Sequence, residues 1–302
     1  MLKVRYGIDL GGTKTEIVAL APSGGEVFRL RNATPRGNYK EIVANIEKLV
    51  KHADKETGTS GSIGVGIPGA ISPHSGLVKN ANTTELIGHP LQGDLEQLLN
   101  RPVRIANDAN CFALSEASDG AGAGHHTVFG IIIGTGVGGG IVIKGTPLLG
   151  AHSIAGEWGH NPLPWPDNTE QPGPKCYCGK YGCIETFLSG PALEQDHFSH
   201  TDFKIPPHQI VEAVSNGDTD AEKTLERYER RLAKALASVV NVIDPDIIVC
   251  GGGLSNLSRL YENVPKLMPQ FVFSDKIETP IVPAEYGDSS GVRGAAWLWP
   301  ME

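Results

Sequence analysis

No run of the 302 residues approaches 18 consecutive apolar side chains, so no segment reads as a membrane-spanning helix. Basic residues are in short supply. The 26 Lys and Arg stand against 34 Asp and Glu, a formal charge of −8, which argues against a nucleic-acid or anionic-membrane surface. The start, MLKVRYGIDLGGTK, meets Asp9 before the apolar stretch of a signal peptide can form, so the expected compartment is the cytoplasm. Two nucleotide-binding signatures are also missing. Gly64/Gly66/Gly69 and Gly134/Gly136/Gly139 satisfy G-x-G-x-x-G, but one runs into Pro68 and the other into an apolar strand. Neither opens the helix that a dinucleotide fingerprint requires. Gly11-Gly12-Thr13-Lys14 lacks the spacing of a Walker A loop.

What the sequence does contain is an ample core and an excess of glycine. Apolar residues make up 40% and charged residues 20%, enough to fold and too apolar for disorder. The length suits two domains, or one large α/β domain split by a cleft. The 38 glycines cluster after apolar runs, where backbone bends close to a ligand. Val4–Leu10 and Thr15–Ala21 flank a Gly turn as a hairpin. Ile42, Ile46, Leu49, Val50 and Ala53 form a helical stripe, Ser62–Ile67 and Val103–Ala106 read as strands, and a helix begins at Asn107. The pattern then restarts: Thr127–Ile133, a Gly turn, Ile141–Ile143, a long helix over 221–243 and the strand Ile247–Cys250. A weak internal duplication with a cleft between its halves is the natural reading.

Four groups of residues carry chemistry. Asp9 with the turn Gly11, Gly12, Thr13 and Lys14 places a carboxylate at a strand end, then bare backbone, a hydroxyl and a cation, as a phosphate and Mg²⁺ site would. Asn107-Asp108 follows a strand and opens a helix, where helix capping and function are equally good accounts. Glu157 and His160 share one face of a helical turn. Cys176, Cys178 and Cys183 lie within eight residues and, with His160, supply three thiolates and an imidazole for a closed, structural Zn²⁺ site. That metal would pin Glu157 through His160 and Glu185 through Cys183, bringing two carboxylates together for a polyol.

Asp9-x-Gly-Gly-Thr-Lys14, Asn107-Asp108, Gly134-Thr135-Gly136, Glu157-x-Gly-His160, Cys176-x-Cys178-Gly-x4-Cys183-x-Glu185 and Gly251-Gly252-Gly253 occur in this order along the whole chain. The sequence thereby resembles the ROK family of bacterial sugar kinases and sugar-responsive repressors. The resemblance implies an α/β, actin-like (ribonuclease H-like) duplicated sugar-kinase fold with two domains flanking a cleft. The small domain would be 1–117, completed by a carboxy-terminal helix over about 290–302, and the large one 118–289. It also implies ATP-dependent phosphorylation of a hexose. Asp108 would accept the hydroxyl proton, and Asn107, Glu157, His160 and Glu185 would bind the sugar, with Asn82 and Gly69 as weaker candidates. Asp9, Gly11 to Lys14, Thr135 and Gly136 would hold Mg²⁺ and phosphates, and Gly251, Gly252 and Gly253 the adenosine. The Pro-rich segment Pro162–Pro174 with Trp165, and the tail 289–297, resemble the fructokinase/mannokinase branch and point to fructose, with glucokinase or N-acetylglucosamine kinase as the alternative. A homodimer is the expected assembly. A repressor would need a DNA-binding segment ahead of the phosphate hairpin, and only eight residues precede Asp9.

Overall fold

The computed structural model describes residues 4–300. Strands β1 (Arg5–Leu10), β2 (Lys14–Leu20) and β3 (Glu26–Ala33) pair antiparallel in turn. Helix α1 (Tyr39–Thr57) leads to β4 (Ser62–Ile67), the small pair β5 (Ala70–Ile71) and β6 (Val78–Lys79), α2 (Leu91–Leu99), β7 (Val103–Asn107) and α3 (Asp108–Asp119). Because β4 lies parallel to β1 and β7 parallel to β4, the sheet order is β3-β2-β1-β4-β7.

A second sheet repeats that layout as β10-β9-β8-β11-β12. Its strands are β8 (Thr127–Ile133), β9 (Val137–Ile143) and β10 (Thr146–Pro147), then β11 (Ile247–Gly251) parallel to β8 and β12 (Ile281–Pro283) parallel to β11. Helices α4 (Glu185–Leu188), α5 (Gly190–Thr201), α6 (Pro207–Ser215) and α7 (Thr219–Ile243) lie between β10 and β11. Helix α8 (Arg259–Leu267) precedes β12, and α9 (Ser290–Trp297) closes the described chain. The duplication expected from the two Gly-turn hairpins is thus visible as two five-stranded sheets of equivalent order. No helix among the described residues is long and apolar enough to cross a membrane.

The chain divides into two compact units. One comprises residues up to Gly124, Gly140–Ala155 and the chain from Glu285 onward; the other comprises His125–Gly139 and Gly156–Ala284. In the first unit the period-2 alternation of strands decides what packs where. Tyr6, Ile8 and Leu10 of β1, with Ile63, Val65 and Ile67 of β4, form one core with the α1 stripe Ile42, Ile46, Leu49, Val50 and Ala53. The opposite face carries Gly7 and Gly64, and α9 presses against it. A Cβ at Gly7 would lie 2.0 Å from the Val292 carbonyl oxygen, and one at Gly64 1.8 Å from that of Ala295. Gly294 of α9 is equally confined, with a Cβ position 1.6 Å from the Cys111 carbonyl oxygen on α3. The G-x-G pattern in β4 is therefore a helix-packing device. The helix expected over about 290–302 is α9, and residues 301–302 lie outside those described.

Strand β3 has no counterpart in the sequence reading. Its alternation is split between Phe28 and Leu30, which pack on the core, and Arg29 and Arg31, whose guanidinium groups pair with Glu16 at 2.6 and 2.8 Å. In the second unit α7 begins at the Asp218 cap, whose carboxylate accepts from the Asp220 and Ala221 N–H groups. It buries Leu225, Tyr228, Leu232, Leu236 and Val240, the stripe legible in the sequence.

Candidate functional site

Asp9, next to last in β1, lies on the glycine-lined face, opposite Gly66 of β4 in the parallel register. The turn after it is held by its carbonyls. The Gly11 N–H donates to the Lys14 carbonyl at 3.0 Å, Thr34 Oγ1 donates to the Gly11 carbonyl at 2.7 Å, and the Thr34 N–H donates to the Thr13 carbonyl at 3.0 Å. Gly12, Thr13 and Lys14 are exposed. The Asp9 carboxyl is pushed up to about 6, chiefly by burial, then by the negative charges of Asp108 and Glu16, with Arg31 opposing. A carboxylate at this cost beside a second one is suited to a divalent cation, which offsets both terms.

Asp108 is the first residue of α3, and Asn107 before it is the cap: Asn107 Oδ1 accepts from the Ala109 N–H at 2.9 Å. The two accounts of this pair overlap, since Asp108 Oδ1 also accepts from the Ala109 N–H, at 2.8 Å, while the Asp108 charge helps to raise the Asp9 carboxyl. The Asn82 N–H donates to the Pro68 carbonyl at 3.0 Å, which places Asn82, itself exposed, beside the Pro68-Gly69 turn. Gly69 has a packing reason of its own: its Cβ position is 2.8 Å from the Lys79 carbonyl oxygen and 2.9 Å from Ala81.

In the second unit the turn Gly134–Gly136 joins β8 to β9, with the Gly134 N–H donating to the Gly136 carbonyl at 3.0 Å. Glu185, at the start of α4, reaches this turn. Its Oε2 accepts from the Val137 N–H at 2.9 Å, and a Cβ at Gly136 would stand 2.8 Å from it. A residue read as a sugar ligand and a turn read as a phosphate cradle are thereby adjacent. Gly252, at φ +84°, lies against β8 with its Cβ position 2.6 Å from the Ile133 carbonyl oxygen, while Gly253 faces open space.

Glu157 is exposed and precedes the single 3₁₀ turn Trp158–His160, whose three-residue period aligns Glu157 with His160. The ligand atoms of His160, Cys176, Cys178 and Cys183 lie within 4.8 Å of one another. His160 Nδ1 is 3.6 Å from Cys176 Sγ, and Cys178 Sγ is 3.6 Å from Cys183 Sγ. Ligands of a tetrahedral zinc, with Zn–S about 2.3 Å and Zn–N about 2.0 Å, stand roughly 3.5–3.8 Å apart, so the cluster fits that ion. Burial and the neighbouring thiols push Cys183 up to about 12, an obstacle to ionisation that a bound cation removes. The tight Cys-x-Cys spacing is accommodated by Gly179 at φ +90° and Gly182 at φ +67°.

Two features escaped the sequence reading. One is Tyr177, whose hydroxyl lies 2.8 Å from His160 Nε2, the ring nitrogen turned away from the cysteines. The other is the anchor of the Pro-rich segment. Glu170, 6% exposed, accepts from Arg231 Nε and Lys234 Nζ, both at 2.8 Å, and Arg231 Nη1 donates to Asp196 at 2.7 Å. The signal was present as charged residues 231 and 234 on the apolar side of α7, but their partner is remote in sequence.

The sequence matches the ROK family over residues 5–302. It is 39% identical over 297 residues to an N-acetyl-D-glucosamine kinase of Yersinia enterocolitica, covering 97% of this chain and 98% of that protein. Among solved structures, a ROK hexokinase from Thermus thermophilus superposes with a TM-score of 0.86 at 30% identity, over 97% of each chain. A ROK glucokinase from Streptomyces griseus in complex with glucose and AMPPNP gives 0.78 at 28% identity, over 99% of this chain and 100% of that one. The chain belongs to the ROK family and carries the actin-like fold of its sugar kinases.

Proposed function

We propose that this chain is an ATP-dependent hexose kinase of the cytoplasm whose preferred acceptor is N-acetylglucosamine, phosphorylated at its 6-hydroxyl, with glucose, mannose and fructose as slower substrates. The observation that carries the sugar is the 39% identity to N-acetyl-D-glucosamine kinases over nearly the full length of both chains. It outweighs the clue for fructose, the Pro-rich segment with Trp165. That segment's rigidity has a structural account in the Glu170 anchor, and the Trp165 ring is stacked on Phe271 with centroids 5.5 Å apart.

Phosphoryl transfer asks a protein mainly for positioning and charge neutralisation. Asp108 accepts the proton of the attacking sugar hydroxyl as its oxygen bonds to the γ-phosphorus and ADP leaves. Asn107, Glu157, His160 and Glu185, with Asn82, orient the hydroxyls. Asp9 would hold Mg²⁺, which when bound would neutralise phosphate charge, and the turns 11–14 and 135–136 supply N–H donors to the phosphates. Gly251 to Gly253 let backbone lie close to the nucleoside. His160, Cys176, Cys178 and Cys183 would hold Zn²⁺ as a structural ion. An ATP-consumption assay over N-acetylglucosamine, glucose, mannose and fructose tests the reading. The highest kcat/KM is expected for N-acetylglucosamine, with no turnover when Mg²⁺ is omitted. A panel led by fructose returns the assignment to the fructokinase branch.

A further inference from the structure

Tyr177 sits between two cysteines of the metal cluster, and the kinase reading leaves it without a role. Its side chain is 75% exposed, more than an aromatic ring held for packing would be. Yet the ring meets the His160 imidazole edge-on, centroids 5.0 Å apart at 87°, and the hydroxyl lies 2.8 Å from Nε2. The phenol is thereby held on His160, one of the side chains of this unit assigned to the sugar. An imidazole with Nδ1 turned to a metal carries its proton on Nε2. The Nε2–H then donates to the Tyr177 oxygen, using the one donor that a sugar hydroxyl needs from this ring.

We propose that Tyr177 is an internal substitute for a sugar hydroxyl, occupying His160 Nε2 until substrate displaces it. The inference rests on the kinase reading above. The loop around Tyr177 permits the swing: Cys178, Gly179, Lys180 and Tyr181 are exposed, and the Gly179 Cβ position has no neighbour within 4 Å. A sugar that supplies its own hydroxyl replaces one neutral hydrogen bond by another. A sugar lacking that hydroxyl loses the Tyr177 bond and gains nothing, so the device sharpens selection against deoxy analogues. Tyr177 acts through His160 and is a positioning residue; it sets affinity and leaves the chemical step alone.

The test is Tyr177→Phe, which keeps the ring and removes the hydroxyl. Sugar is varied at saturating ATP, ATP at saturating sugar, and zinc is measured by atomic emission on the same preparations. Binding of N-acetylglucosamine to the ATP-free protein is titrated by calorimetry in parallel. Loss of a competing neutral hydrogen bond should lower the sugar KM and Kd about two- to tenfold, with kcat, KM for ATP and zinc content close to wild type. An unchanged or raised sugar Kd with zinc retained overturns the inference. A wild type that binds the sugar without phosphorylating it overturns the kinase reading alone, since the calorimetric comparison still decides the role of Tyr177.

Discussion

Replacing Asp9 and replacing Asp108 should have different consequences, the first for stability and the second for the chemical step. The Asp9 carboxyl titrates near 6 in the folded protein and near 4 in the unfolded chain, so folding takes up a proton between those values. Its contribution to stability therefore falls as pH rises through that window and stays low above it. In Mg²⁺-free buffer Asp9→Asn should be more stable than wild type by on the order of 2 kcal/mol at pH 7–8, with the gain fading toward pH 4. Urea unfolding of both proteins across pH reads this directly, and a variant less stable at pH 8 contradicts the burial account. Asp108→Asn should leave the fold intact, because Asn107 caps α3 and an Asn at 108 keeps the oxygen that accepts from the Ala109 N–H, and should lower kcat by about 10²- to 10⁴-fold. A variant keeping more than roughly a third of wild-type kcat at saturating substrates removes Asp108 from the role of proton acceptor.

At the scale of elements, what was legible is what is local. The β4 boundaries, Ser62–Ile67, follow from an apolar run ending in Pro-Gly, and the α1 and α7 stripes follow from helical periodicity. The cysteine cluster was legible for the same reason, its thiols being close in sequence. What was not legible depends on distant partners. Gly64 of β4 answers to α9, Gly66 to Cys111 of α3, and Glu170 to α7, so their meaning is set by packing that no local window contains. The metal loop is the element most exposed to experiment. Cys178→Ser touches an exposed ligand and not the core, so its effect should run through the metal. Zinc content should fall, the melting temperature should drop, and the sugar KM should rise by about tenfold or more while KM for ATP moves less. Equal zinc per chain in variant and wild type, or a loss of ATP affinity as large as that for sugar, argues against the loop as the anchor of Glu157 and Glu185.

At the scale of the whole molecule, the repeated sheet order was foreshadowed by two Gly-turn hairpins at matching places. The sugar was not, because discrimination among hexoses rests on pocket walls that the motif residues do not describe. The return of α9 to the first sheet has a consequence for how the chain is made. Strands β1 and β4 leave the ribosome long before the helix that covers their glycine face. Until it emerges, Val18 and Leu20 lack the Val292 and Ala296 side chains that complete their cluster. Folding of this unit therefore waits on α9, and the nascent chain carries that sheet face without its covering helix until α9 has been made, in reach of chaperones.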